Sequence, residues 1–238
     1  MNEATFHFYG ALNDFFPDSQ KDNPLCCSFN SDQSVKHLIE AMGVPHTEVG
    51  CILVNDSPVD FSYRVNDSDR VEIYPLAGEA GVGESPGATR FVADNHLGRL
   101  AYYLRMLGFD TLYRNDYQDD ELAQTADAQE RILLTRDRRL LMRNQVQRGY
   151  WVRSLSPRQQ ILEVVRRYNL TAQITPFRRC IRCNGILQPV SKEAVLDRLE
   201  PLTRLYFDDF RICPDCQQVY WKGSHYERMR QFIDQWMT

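Results

Sequence analysis

The stretch FVADNHLGRLAYYLRMLGFDTLYRND, residues 91–116, decides the fold. Residues 90–93 (RFVA) read as a short strand that stops at Asp94. Leu97, Leu100, Leu104 and Leu107 then recur at helical steps on one face, and Gly108 ends the helix. Residues 110–114 (DTLYR) supply a second strand. The alternation continues: Asp119 or a neighbour opens a helix through Glu130, and residues 131–135 (RILLT) form a third strand. Asp137 and a basic helix follow, then a fourth strand at 150–153. Ser156-Pro157-Arg158-Gln159 has the pattern of a capping box with Pro at the first helical position, and its helix reaches about Tyr168. Repeated β-α units predict a mainly parallel sheet with helices on both faces over residues 90–177.

Upstream, residues 78–89 are rich in glycine and small residues and read as a linker. Residues 1–77 hold strands at 4–9, 25–30, 51–54 and 70–74, a turn at Asn55-Asp56, and a helix capped by Ser31 or Asp32 that runs to Met42. The order β-β-α-β-β fits a β-grasp, ubiquitin-like module and is similar to its sulfur-carrier branch. Carriers of that branch end in a Gly-Gly tail. Here the chain continues past Pro75-Leu76-Ala77-Gly78, which favours an interaction or scaffolding role with a protein partner.

Downstream, residues 178–238 contain Cys180-x-x-Cys183 and Cys213-x-x-Cys216, with a helix expected over 191–199 between them and a short helix at 226–237. Two residues between cysteines let both sulfurs of a knuckle reach one tetrahedral ion, and Asn184-Gly185 and Pro214-Asp215 are turn-prone. Four thiolates leave no position for a substrate water, so the expected zinc is structural. Two disulfides or two redox pairs are the competing readings; seven cysteines and no secretory signal disfavour them. His225 reads as a surface residue, a phosphate contact or a further ligand. Cys26, Cys27 and Cys51 read as buried free thiols.

The net charge of −4 conceals an asymmetry. Residues 1–78 carry 4 Lys/Arg against 12 Asp/Glu, whereas residues 131–182 carry 13 Arg against two acids, Asp137 and Glu163. Arginine at that density suits a polyanion bound through bidentate phosphate contacts, with a solvated surface as the plainer reading. The acidic N-terminal module could also cover that basic segment. Tyr150, Trp151 and Trp221 could stack bases, but such residues are more often core. No run approaches the ~20 apolar residues of a membrane span, and no secretory leader is evident, so a cytoplasmic protein without membrane association is expected.

Acids sit where strands hand over to helices: Asp94 after the first strand, Asp116, Asp119, Asp120 and Glu121 after the second, Asp137 after the third. Functional groups gather at such strand ends in parallel sheets. Carboxylates without His or Cys suit Mg²⁺ or Mn²⁺. Each aspartate at a helix start also suits a helix cap, and both readings stand at this point.

The segment quoted first, together with DDELAQTA (119–126), RILLTRDRRLL (131–141), RCIRCNG (179–185) and CPDCQQVYWKGSHYERM (213–229), resembles the Mut-seven C-terminal RNase family. That resemblance implies a PIN-like nuclease fold, a four-cysteine zinc ribbon at its C-terminal end and, in many bacterial members, a ubiquitin-like domain in front. It also implies a metal-dependent ribonuclease that hydrolyses RNA to a 3′-hydroxyl and a 5′-phosphate. By motif position Asp94, Asp119 and Asp137 would be its acids, with Glu121 and Asp116 as further candidates. Arg136, Arg138, Arg139 and Arg143 of the basic segment would then contact the RNA backbone. A non-catalytic, zinc-containing RNA- or ribosome-binding protein is the alternative.

Overall fold

The computed structural model describes residues 1–30, 32–76, 89–224, 226–228 and 230–231. Residues 78–88 of the expected linker, Ser31, His225 and most of the expected C-terminal helix lie outside them. In chain order the elements are β1 (Asn2–Phe8), β2 (Leu25–Phe29), α1 (Val35–Ala41), β3 (Val49–Val54), β4 (Ser57–Val59) and β5 (Arg70–Pro75). Then come β6 (Arg90–Ala93), α2 (Gly98–Met106), β7 (Asp110–Tyr113), α3 (Asp119–Ala128), β8 (Ile132–Thr135), α4 (Arg138–Leu141), β9 (Gly149–Trp151) and α5 (Pro157–Arg167). The last are β10 (Gln188–Val190), α6 (Lys192–Val195), α7 (Pro201–Tyr206), β11 (Phe210–Ile212) and β12 (Val219–Trp221). Strands β6 and β7 pair in parallel, as do β8 and β9. The fold is α/β, with a parallel sheet flanked by helices, an N-terminal β-grasp sheet and a C-terminal four-cysteine cluster. No helix among the described residues is long and apolar enough to cross a membrane.

The residues group into two compact units. One comprises Met1–Gly81 and Gln118–Val152. Its β-grasp sheet has the order β2-β1-β5-β3-β4, with β1 and β5 parallel and the other pairs antiparallel. Alternation places Phe6, Phe8, Val71 and Ile73 in the core beneath Val35, Leu38 and Ile39 of α1. The sequence missed the edge strand β4, which is only three residues long and contains Pro58. Helix α1 is capped by Ser34, whose hydroxyl accepts from the His37 N–H at 3.3 Å. Asp32 is no cap; it sits at φ 70° and pairs with Arg64 at 3.6 Å.

The cysteines of this module correct the expectation of buried thiols. Cys26 and Cys51 are exposed and Cys27 is half-buried, because both lie on strands with one face turned to solvent.

Within the same unit the module packs on the β8-α4-β9 segment. Trp151 lies 4.8 Å from the buried Phe15 ring, and the Arg138 guanidinium stands 4.0 Å over Trp151 and 4.9 Å over Phe15. Arg138 also donates to the Phe15 carbonyl at 3.1 Å. Buried Glu48 accepts the Trp151 N–H at 2.8 Å. His46 contacts Glu40 through Nδ1 at 2.7 Å and the Val146 carbonyl through Nε2 at 2.9 Å. Tyr150 is buried, as expected, and Trp151 is half-buried in this contact.

The other unit comprises Val82–Tyr117 and Arg153–Thr238. Parallel β6 and β7 pair Ala93 with Tyr113, so both strands end at the same level. Leu100 and Leu104 of α2 are fully buried, as are Ile161 and Val164 of α5, and Phe91 meets Phe109 and Tyr168 edge-on at 6.1 and 6.0 Å. Leu97 belongs to a short 3-10 turn ahead of α2 rather than to the helix. Ser156 makes no side-chain cap bond, which corrects the capping-box reading; Pro157 alone shapes that helix start. Instead the Glu163 carboxylate accepts the Arg153 and Ser154 N–H groups at 2.7 and 3.0 Å. The helix expected over 191–199 is one turn, α6, continued as a 3-10 turn, and α7 follows unanticipated behind Pro201.

Gly108 ends α2 at φ 97°, and a Cβ there would stand 2.2 Å from the Thr175 carbonyl oxygen. The chain crosses at this point: Thr175 donates to the Leu107 carbonyl at 2.9 Å and Phe177 to that of Met106 at 3.1 Å. Gly108→Ala must strain the backbone and displace this crossing. It is expected to cost at least about 2 kcal/mol of stability, read from urea denaturation.

Candidate metal centre and acidic positions

The four cysteines come together. Their sulfurs all lie within 4.8 Å of one another, with Cys180 and Cys216 at 3.5 Å and Cys183 and Cys213 at 3.3 Å. A disulfide requires about 2.05 Å. Four sulfurs about 2.3 Å from a tetrahedral zinc are separated by about 3.8 Å, so the set fits such an ion and not a pair of bridges. Among the described residues this is the only group of three or more His, Cys, Asp or Glu side chains close enough to hold a metal.

The two knuckles share one geometry. Cys180 N–H donates to the Gly185 carbonyl at 2.8 Å, and Asn184 N–H returns to Cys180 at 2.9 Å. Cys213 N–H donates to Gln218 at 2.9 Å, and Gln217 N–H returns to Cys213 at 2.9 Å. Each turn needs a left-handed residue after its second cysteine: Asn184 at φ 77° and Gln217 at φ 60°. Asn takes that conformation readily, Gln less so.

The thiols respond to one another. Burial resists ionisation of Cys180, but the Tyr220 hydroxyl at 3.0 Å and the Cys183 and Arg182 amides outweigh it, lowering the pKa to about 7. Burial and the neighbouring sulfurs push Cys183 and Cys216 upward. Four converging thiols cannot all ionise without a cation to neutralise them, and a coordinated divalent ion supplies that charge.

Residues that sequence reasoning missed fasten the first knuckle to α2 and β7. Arg105, almost fully buried, donates from Nε to the Thr111 carbonyl at 2.9 Å and from its terminal nitrogen to the Arg182 carbonyl at 2.9 Å. Asn184 accepts the Thr111 N–H at 3.0 Å and donates to Asp110 at 2.8 Å, and Arg179 approaches Asp110 at 3.4 Å. An arginine inside a helix, far in the chain from the cysteines, carries no sequence signal for this role.

The acidic positions occupy distinct settings. Asp94 follows β6, is 5 % exposed, and makes no side-chain cap bond. Beside it, the Asn95 amide oxygen is buried without a hydrogen-bond partner. Asp116 is exposed and held by Arg114 at 3.0 Å, which lowers its pKa through the hydrogen bond. Asp119 and Asp120 open α3 and both meet Arg143, Asp119 at 3.9 Å. Glu121 accepts the Gln118 N–H at 3.0 Å in a capping box, so Gln118 and not Asp119 caps that helix. Asp137 caps α4, accepting the Arg139 N–H at 2.8 Å, while its own N–H donates to Thr135 Oγ1 at 2.9 Å. The expected basic helix is this single turn. Among the candidate RNA contacts, Arg139 is exposed, Arg136 gives its carbonyl to Trp151 Nε1 at 3.3 Å, Arg138 is held against Phe15 and Trp151, and Arg143 against Asp119 and Asp120.

Residues 89–233 match the family model described as Mut7-C RNAse domain, and residues 1–80 match that described as Mut7-C ubiquitin. No curated protein and no solved structure gives a match.

The metal centre generates a direct expectation. The purified chain should carry about one equivalent of zinc by elemental analysis. Cys183→Ser should lose it and unfold the ribbon, lowering the melting temperature.

Proposed function

We propose that this chain, which belongs to the Mut7-C RNAse family, is a metal-dependent ribonuclease that hydrolyses RNA phosphodiester bonds. The family match supports a nuclease-like role, and the observation that carries the finer reading is Asp94. It is a buried carboxylate at the C-terminal end of a parallel strand, beside an amide oxygen that lacks a partner.

Asp94, Asp119 and Asp137 are the residues we assign by motif position to a Mg²⁺ or Mn²⁺ ion, an assignment that rests on the family match and not on their placement. Their oxygens are the hard donors such ions take, and Asn95 can add another. When bound, the ion neutralises phosphate charge and makes water a better nucleophile. The chain's own residues do the rest. Arg139 and Arg136 hold the RNA backbone; Arg138 secures the ubiquitin-like module, and Arg143 steadies Asp119. Glu121 serves as helix cap and Asp116 as the partner of Arg114. The cysteine ribbon holds zinc as a brace.

A non-catalytic RNA-binding protein is the second reading, favoured by the cap bond of Asp137. Asparagine caps a helix as well as aspartate does, so substitution separates the two roles. In cleavage of end-labelled single-stranded RNA with Mn²⁺, Mg²⁺ or EDTA, Asp94→Asn and Asp137→Asn should each lose more than the roughly 10–100-fold typical of residues that only support a ligand. RNA affinity and melting temperature should hold. RNA bound but uncut by the wild type under every metal would sink the nuclease and leave the binding protein.

A further inference from the structure

The second cysteine knuckle leads into an open groove of about 510 Å³. That volume lies in the range of sites for small organic ligands, so one or two nucleobases fit. Its lining joins aromatic rings to cations. Trp221, at the end of β12, is 38 % exposed, which corrects the expectation of a core residue. Gly223 lets its indole lie close: a Cβ at 223 would stand 2.8 Å from Trp221 Nε1. Phe177 and Tyr226, also in the lining, pack together with ring centroids 4.3 Å apart.

The cations are placed to be used. Arg182 and Arg211 are exposed, and neither guanidinium has a carboxylate partner among the described residues. Lys222 pairs with Asp209 at 3.1 Å, but both ends are largely exposed, so the pair is weak and can open for a phosphate. Asp209 is the single acid in the lining, against Arg179, Arg182, Arg211 and Lys222. Of these cations only Arg179 is committed to structure, through Asp110.

We infer that this groove binds a short single-stranded segment of RNA, its bases against Trp221 and the Phe177–Tyr226 pair and its phosphates on Arg182, Arg211 and Lys222. An exposed aromatic face accepts an unstacked base whatever its identity, and flanking cations follow the backbone. An acidic peptide would satisfy the cations but leave the rings idle. The choice of RNA rests on the proposed function; the groove itself uses none of the acidic residues assigned to hydrolysis. The ribbon is therefore a substrate platform as well as a brace.

The test is binding of a fluorescein-labelled ten-nucleotide oligouridine to the full chain by anisotropy, without Mg²⁺ or Mn²⁺ and at several salt concentrations. Trp221→Ala should weaken binding about tenfold, and Trp221→Phe should restore most of it. The double variant Arg182→Ala, Arg211→Ala should reduce the slope of log affinity against log salt by about 1.4. Zinc content checks that each variant is folded. Should Trp221→Ala lose zinc, the exposed double-arginine variant decides alone. Wild-type affinity and slope in these variants, or competition by polyglutamate as effective as by unlabelled RNA, would overturn the groove. If RNA is nonetheless cleaved, the nuclease stands without it. Binding that depends on Trp221 with no cleavage under any metal supports the groove and overturns the nuclease.

Discussion

Arg105 and Asn184 hold the cysteine ribbon to the α/β framework of their unit. Arg105 reaches out of α2 to the carbonyls of the first knuckle, and Asn184, inside the knuckle, hydrogen-bonds the backbone of β7. The bonds of Arg105 and Asn184 to the Thr111 backbone are buried, where an unmade bond costs about 1–3 kcal/mol. Burial depresses the Arg105 pKa, which the nearby cysteine sulfurs and Asp110 oppose. The knuckle thus places a fixed turn beside the strand, and the chain crossing at Gly108 brings residues 175–177 to the start of the ribbon. A metal held by the cysteines stabilises more than a peripheral loop.

The ubiquitin-like module has a comparable anchorage in its own unit. Arg138 lies over both Phe15 and Trp151, and Glu48 and His46 take up backbone groups of the 118–152 segment. Cation–π stacking is worth more when desolvated than at a free surface. These contacts spend an arginine that would otherwise be available to phosphate. They make the module part of a unit with Asp137 and α4 rather than a bead on a tether.

The acidic residues show why position alone underdetermines chemistry. Glu121 and Asp137 satisfy helix N–H groups, and Asp116 satisfies a neighbouring arginine. Asp94 differs, because it is buried and performs no capping. A carboxylate can cap with one oxygen and bind a cation with the other, so capping by Asp137 and metal binding are compatible.

The sequence alone determined the β-α alternation, the β-grasp module except for its edge strand β4, and the four cysteine positions. Each is a local signal: a hydrophobic period, a turn dipeptide or a fixed spacing forced by ligand geometry. It also located the acids at strand ends, since strand-to-helix transitions are legible from periodicity. Only the tertiary structure decided which atoms those residues serve. The roles of Arg105, Arg138 and Asn184 depend on partners far away in the chain, and no local pattern encodes such a pairing. The exposure of Cys26, Cys51 and Trp221 was equally hidden, because a short strand's composition does not say which of its faces another element covers.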